Sequence, residues 1–327
     1  MSRPPVSTFG LTGQTKTRVE ASLDHAMLMV RDLHAASEDF AGLGFRVVGG
    51  GRIPGGIENR IIPFGPHGPY LELAGIYEHG GAAIRDNEEF LAAGEGIIYV
   101  GLKVASATRT AEQLRELGLR VQGPFPGTIK RPGGMEDPPT LWHSMTIEHG
   151  GSVRADPLFF TEYSEEGLAV VRAHDPEWAR RYDAERAVLH PNGASGFTSV
   201  WIAVNRIEEA AERYERLGYS RTRDFILAEL EARVAEVPLG SGSVWLVESR
   251  SATGPTARLL AARGFGVEVP GISIEVADPR VALSAMSPEA SRSLQISDLP
   301  SGRGVLIPPT LAHGVWIELY QRPGAGG

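Results

Sequence analysis

The chain has 327 residues, 42% of them hydrophobic and 22% charged, a balance that excludes a disordered chain and leaves length for about two domains with cores of their own. A net charge of -8 argues against the basic surface that a nucleic-acid backbone requires. The absence of cysteine removes disulfides, thiolate metal sites and thiol nucleophiles together, so any metal must be held by histidine and carboxylates. No apolar run approaches the roughly 18 to 20 residues needed to span a bilayer, and the first 20 residues lack the apolar stretch of a signal peptide. The expectations are a small-molecule partner, no nucleic acid, no membrane, a cytoplasmic location, and a monomer or homodimer.

After a tail at 1–19, the phrase LDHAMLMVRDLHAASEDFAGLGF at 23–45 reads as an alternating strand, a polar turn, an amphipathic helix and Leu-Gly-aromatic. It is followed by FRVVGG, NRIIPF and PYLELAGI, three short strands parted by glycine and proline. The glycine-rich GGGRIPGG at 49–56 precedes a strand and no helix, so it reads as a flexible hairpin and not as a phosphate cradle. The unit is βαβββ.

The opening phrase returns as IYVGLKVASATRTAEQLRELGL at 98–119 and TSVWIAVNRIEEAAERYERLGY at 198–219. Val30 to Gly44, Val104 to Gly118 and Val204 to Gly218 each span 14 residues. Asp32, Ser106 or Thr108, and Asn205 are the predicted N-caps, and each glycine suits a left-handed C-terminal position. A fourth, degenerate copy, GISIEVADPRVALSAM, ends its strand at Val276 and is followed by LQI, GVLIPP and GVWIELYQ.

Val30 to Glu72 is 42 residues, and Val276 to Glu318 is also 42. The comparable strand of the second unit, PLFFTEY with Glu162, lies 58 residues after Val104. The excess falls in GPFPGTIKRPGGMEDPP at 123–139, whose glycines and prolines predict a loop closing over a pocket as a flap. Between the halves, 165–195 is polar with helical character in DPEWARRYDAERAVL, and its Trp178, Arg180, Arg181 and Tyr182 read as a polar patch or simply a solvated linker. The predicted organisation is a first domain at 20–164, a linker at 165–195, a second domain at 196–322 and a tail at 323–327.

Four βαβββ modules carrying LDHAMLMVRDL, the LGF phrase, YLELAGI, HPNGA at 190–194 and GVWIELYQ resemble the vicinal oxygen chelate superfamily of glyoxalases, bleomycin-resistance proteins, epimerases and extradiol dioxygenases. The last of these strings is similar to the final strand of methylmalonyl-CoA epimerases. LDH, ELAGI, LFFTEY and HPNGA together resemble its glyoxalase-like domain subfamily. The resemblance implies an α+β fold of two tandem glyoxalase-like domains with half-barrel sheets. It also implies a cup whose metal ligands come from the first and last strands of two units. In the first domain these would be His25, Glu72 and Glu162, a set suited to Mn, Fe, Zn or Mg. The place matching His25 in the second unit is Tyr99, a poor ligand that would instead donate a proton or orient substrate. His143 is a possible replacement ligand, an outer-sphere group or a residue packed under the flap.

Strand alternation puts His25, Met27 and Met29 on one face. A strand histidine can equally be a core residue bonded to backbone, and Glu72 or Glu162 can pair with Arg60 or Arg154. In the second domain the matching places hold Ser199 and Gly271, then Leu246 and Glu318, with His313 in a turn nearby. That is too few donors for a metal or for extradiol ring cleavage, so the second domain reads as structural or as a wall of the first domain's pocket. The implied function is a divalent-metal-dependent lyase or isomerase acting on a molecule with neighbouring oxygens, with catalytic roles for Glu162, Tyr99 and His143. The alternative is a metal-free binding or sequestering protein of the bleomycin-resistance kind.

Overall fold

A computed structural model of the protein describes residues 18–66, 68–82, 84–148, 157–264 and 266–324; the termini beyond these bounds, and with them His67, His149 and Arg154, lie outside the described residues. The first module comprises β1 (Ser22–Met29), α1 (Leu33–Gly42), β2 (Val48–Ile53), β3 (Ile57–Pro63) and β4 (Tyr70–Ile76). After α2 (Arg85–Ala93) come β5 (Gly96–Lys103), α3 (Ala107–Glu116), β6 (Val121–Gly127), β7 (Trp142–Ile147) and β8 (Leu158–Tyr163). The helices α4 (Glu165–His174) and α5 (Pro176–Ala187) lead to β9 (Ala194–Val204), α6 (Ile207–Arg216), β10 (Arg223–Leu227), β11 (Ala232–Leu239) and β12 (Gly242–Ser249). Past α7 (Pro255–Arg263), the last module is β13 (Val267–Val276), α8 (Pro279–Ser284), α9 (Pro288–Ser291), β14 (Ile296–Leu299), β15 (Gly302–Ile307) and β16 (Trp316–Gln321).

In every module the first strand pairs in parallel with the last: β1 with β4, β5 with β8, β9 with β12 and β13 with β16. Modules then join antiparallel through their first strands, β1 to β5 and β9 to β13. The two pairs meet edge to edge where Val269 of β13 faces Ile97 of β5. The result is two curved half-barrels within one continuous sheet.

The repeated Leu-Gly phrase has a specific geometric cause. Gly44, Gly118 and Gly218 adopt φ of +80°, +76° and +88°. The N–H of each following residue returns to the carbonyl five positions earlier, Phe45 to Phe40, Leu119 to Leu114 and Tyr219 to Tyr214, at 2.9–3.0 Å, which is the Schellman ending of a helix. Asp32 and Ser106 cap α1 and α3 as expected. α6 differs: it begins at Ile207 without help from Asn205, and the Ile207 N–H donates instead to the Glu248 carboxylate of β12 at 2.7 Å.

Two segments depart from their sequence reading. β6 runs through Pro124 and Pro126, which was expected to be loop; it pairs only with β7, with a register shift between Gln122 and Phe125, and an edge strand with a bulge tolerates missing donors. The linker is not simply solvated. Trp178, Tyr182 and Arg186 recur every fourth residue of α5 and form one stripe. Arg186 is buried and donates to Pro66 O at 3.2 Å, to Gly68 O at 3.4 Å and to the Tyr182 hydroxyl at 3.2 Å. This stripe fastens α5 over the first half-barrel.

The halves share a core in which Leu28, Phe40, Leu246 and Ile317 are buried together. His313, at φ +52°, reaches from the second half to Glu95 at 2.9 Å and Asp39 at 3.1 Å of the first. No described helix is long and apolar enough to cross a membrane.

Candidate active site

The first half-barrel encloses a cup of about 290 Å³ whose wall is mostly apolar and aromatic, with Met27, Ile61, Phe159 and Trp142 from the strands, Leu141 from the loop and Trp178 from α5. Its polar groups gather around β1. The register of β1 on β5 skips between Leu23 and His25, which leaves Asp24 in a bulge and lets its carboxylate reach the side of the sheet that carries the His25 ring. Both residues are buried. Gly101 lies opposite His25, and a Cβ there would sit 2.5 Å from the ring's Cε1 and 2.6 Å from Nδ1, so this position must lack a side chain for the imidazole to occupy its place.

The ring stacks on Tyr70, centroids 4.6 Å apart, and meets Phe159 edge-on at 5.2 Å. Its Nδ1–H donates to Asp24 Oδ2 at 2.6 Å, and the Tyr163 hydroxyl donates to the same oxygen at 2.5 Å. The hydroxyls of Tyr70 and Tyr163 are 3.1 Å apart. On the other side, Nε2 lies 3.8 Å from Glu72 Oε2, while Glu72 Oε1 accepts from Asn59 Nδ2 at 2.7 Å. Asn59 is itself held by the Gly51 N–H at 2.9 Å. One imidazole is thus clamped between two buried carboxylates, with its Nδ1 proton fixed and Nε2 left for chemistry.

Burial works against every charge here, and the partners decide the outcome. It pushes Asp24 up, yet hydrogen bonds from His25 and Tyr163 hold that carboxyl below its ordinary value. It pushes His25 down, yet Asp24, with help from Glu72, raises the imidazole above its ordinary value. Glu72 is raised by burial, which outweighs His25 and Asn59. Burial and the neighbouring carboxylates push both tyrosines well up, so Tyr70 and Tyr163 remain neutral donors.

Of the residues singled out in the sequence, the fold brings together His25 and Glu72. Glu162 does not join them: its Oε2 accepts from the Ala107 N–H at 2.7 Å and satisfies the first turn of α3. That is the same service that Glu248 gives to α6. The sheet register explains the difference. Met27 faces Glu72 across β1 and β4, and the corresponding Gly101 faces Phe159 across β5 and β8, so the match to Glu72 is Phe159, three residues before Glu162 and on the opposite face. His143 lies directly across from Glu162 and shares that outer face. Tyr99 packs edge-on against Phe159 at 6.3 Å and is not among the residues lining the cup.

The second half-barrel is filled. Trp201 and Trp245 stack at 5.2 Å, Phe225 meets Trp245 at 4.9 Å, and all pack with Trp316. Glu318 is buried there and bonded to the Ser301 N–H at 3.2 Å and hydroxyl at 2.7 Å. Across β9 and β12 it is Trp245, not Leu246, that faces Trp201.

A family model, the glyoxalase-like domain, matches residues 23–218. The chain belongs to the glyoxalase-like domain family. It is thereby a member of the vicinal oxygen chelate superfamily. Among solved structures, this glyoxalase-like protein is similar to a hypothetical protein from Staphylococcus aureus at 11% identity, covering 91% of this chain and 98% of that one, with a TM-score of 0.58. It is similar to a mutant of 4-hydroxymandelate synthase from Streptomyces coelicolor at 14% identity, covering 94% of each chain, with a TM-score of 0.59. Methylmalonyl-CoA epimerase from Mycobacterium tuberculosis matches 41% of this chain and 93% of its own at 23% identity and a TM-score of 0.35. At 11% and 14% identity the first two likenesses are of fold alone. No curated protein matches the chain.

The four strand positions from which such a half-barrel would supply metal ligands hold His25, Glu72, Tyr99 and Phe159 here. Two of the four are donors suited to a divalent ion, and Asp24 is occupied by the far nitrogen of His25. Among the described residues no three histidine, aspartate or glutamate side chains are arranged to hold a metal. The donor set of this cup does not fit a resident divalent ion.

Proposed function

We propose that the first half-barrel is a general acid–base site, serving isomerase or lyase chemistry on a small molecule that carries a C–H bond next to a carbonyl group. The observation that carries the reading is the 2.6 Å bond between Asp24 and His25 Nδ1. It orients the imidazole and leaves Nε2 as the proton acceptor in a mostly apolar cup. In the forward step Nε2 takes the carbon-bound proton, the C–H electron pair moves to form the enol double bond, and the carbonyl oxygen gains its proton from the neutral Tyr70 hydroxyl, the Tyr163 proton being held by Asp24. Asp24 stabilises the imidazolium so formed, and Glu72 adds a second negative charge beside it. Return of the proton from Nε2 to another carbon of the enol system, or loss of a leaving group from the carbon next to it, distinguishes an isomerase from a lyase.

The test is proton NMR in heavy water with a panel of short ketones, aldehydes and 2-oxo acids sized for the cup. The protein should exchange the carbon-bound proton of at least one member, with the rate falling by about 10²-fold or more in His25→Gln. Binding of panel members without any exchange would support the sequestering alternative. Exchange that disappears on adding a chelator and returns with Mn, Fe(II), Zn or Mg would support the metal-dependent one.

A further inference from the structure

The inner end of the cup holds the Glu72 carboxylate and the His25 imidazole, with Asp24 behind the ring, whereas its mouth carries a cation. Arg131 lies in the turn after β6, where the cup opens into a broad outer groove that it also lines. The turn is pinned to the first module by paired backbone bonds, Arg52 N–H to Lys130 O at 2.7 Å and Lys130 N–H to Arg52 O at 2.8 Å. The guanidinium lies 3.5 Å above the centre of the Trp178 ring, so its face is taken and its N–H edge is left. Asp175 is near enough to act on it through space, but one Asp175 oxygen is already committed to the Trp178 N–H at 2.9 Å. Among the described residues no side chain hydrogen-bonds the Arg131 guanidinium.

Further out in the same groove, Glu58 is already engaged by Arg52 at 3.2 Å and by Arg60 at 3.4 Å. Glu78 and Glu185 also line the groove, and so do the exposed Lys130 and Arg181. The polarity along the cup is therefore negative at the closed end and positive at the rim. An anion entering head-first would meet Glu72, with the Asp24 charge behind the imidazole, and a molecule with its charge trailing would leave that charge at Arg131.

We propose that the ligand of this cup is a small organic carboxylate, bound with its apolar, reactive end against His25 and its carboxylate on the N–H edge of Arg131. A half-buried, ring-stacked guanidinium is already desolvated and oriented, which suits paired hydrogen bonds to a planar carboxylate. The proposal deepens the acid–base reading by naming the substrate class, and it makes Arg131 a specificity residue supplied by the inserted loop of the second module.

The probes are 3-phenylpropanoate and its neutral amide, titrated against the full chain by calorimetry and by the fluorescence of Trp142 and Trp178, which line the cup. Wild type should bind the carboxylate about tenfold more tightly than the amide. Arg131→Met and Arg131→Gln should bring the two to near parity while leaving amide binding in place, and Arg131→Lys should restore part of the preference. His25→Gln should keep the carboxylate preference even where proton exchange is lost, so failure of the acid–base reading and failure of this one give different patterns. Equal or tighter binding of the amide by wild type overturns the proposal, as does a full preference retained in Arg131→Met or no detectable carboxylate binding at about 10 mM. The comparison of the two probes on wild type needs no variant to fold.

Discussion

Replacing Gly101 by alanine tests the site without altering any group that does chemistry. The φ of Gly101 is not among the positive values that only glycine favours, so the backbone accepts alanine, and the added methyl is the whole perturbation. It would lie 2.5 Å from His25 Cε1 and 2.6 Å from Nδ1, against the roughly 3.5 Å of a comfortable contact, so the ring must move by about 1 Å. A shift of that size would stretch the 2.6 Å bond to Asp24 to about the limit of hydrogen bonding and disturb the stack on Tyr70. Overpacking of this kind costs about 1–3 kcal/mol of stability, while a 1 Å misplacement of a catalytic group costs about 10²-fold in rate. The assays are proton exchange of the best panel substrate and an NMR titration of the His25 ring, identified by its absence in His25→Gln. Gly101→Ala should slow exchange by about 10²-fold and bring the His25 pKa down from its raised position, with the fold intact by circular dichroism. Unchanged exchange and an unchanged His25 titration in a folded Gly101→Ala protein would refute the site geometry.

Asp24→Asn should likewise lower the His25 pKa, read by the same titration; an unchanged value would mean that Asp24 does not set it. The pH dependence of thermal stability follows from the directions of the shifts. The raised His25 contributes stability that is complete below the ordinary imidazole value of about 6.5 and is lost as pH rises through its higher folded value. The lowered Asp24 contributes stability that is complete above about 3.9 and is lost as pH falls through its lower folded value. Because Asp24 is the main cause of the raised His25 value, His25→Gln and Asp24→Asn should both flatten the alkaline side of the stability profile and Asp24→Asn the acid side as well; an alkaline side unchanged in either variant would contradict the shifts. Glu162→Gln should cost about 0.5–2 kcal/mol in denaturant unfolding through the weakened start of α3, with ligand binding unchanged; lost binding at normal stability would return Glu162 to the site. In the filled half-barrel, Trp201 Nε1 donates to Ser273 at 2.9 Å, whereas the buried Trp245 Nε1 has no acceptor among the described residues. Trp201→Phe should destabilise by about 1 kcal/mol more than Trp245→Phe.

The modular architecture was legible because its cause is local. Three Schellman endings, each 14 residues after a strand-ending valine, require glycine at Gly44, Gly118 and Gly218, and one-dimensional spacing carries that information whole. His25 and Glu72 were legible for the same reason, since β1 and β4 pair without a shift from His25 onward and alternation there fixes a face. Asp24 was not, because alternation places it opposite its neighbour and only the bulge between Leu23 and His25 brings the two together. Glu162 was misplaced by the inserted loop: with its length unknown, the offset from Val104 slid by three residues, and an odd slip changes face. Trp178 and Tyr182 were hidden by their polar surroundings in α5, although the four-residue spacing they share with Arg186 marks a packed stripe. Tyr70 and Tyr163 sit close in sequence to the two glutamates that drew attention, and what distinguishes them is their meeting at 3.1 Å across the cup.

The central claim is that His25, oriented by Asp24, moves protons in this cup with the chain's own groups. The measurement that bears on it most directly is solvent deuterium exchange into the best panel substrate by chelator-treated protein, wild type beside His25→Gln. The account predicts that exchange survives the chelator and is lost with His25. Exchange that is lost to the chelator and restored by a divalent ion, or that persists undiminished in His25→Gln, would contradict it.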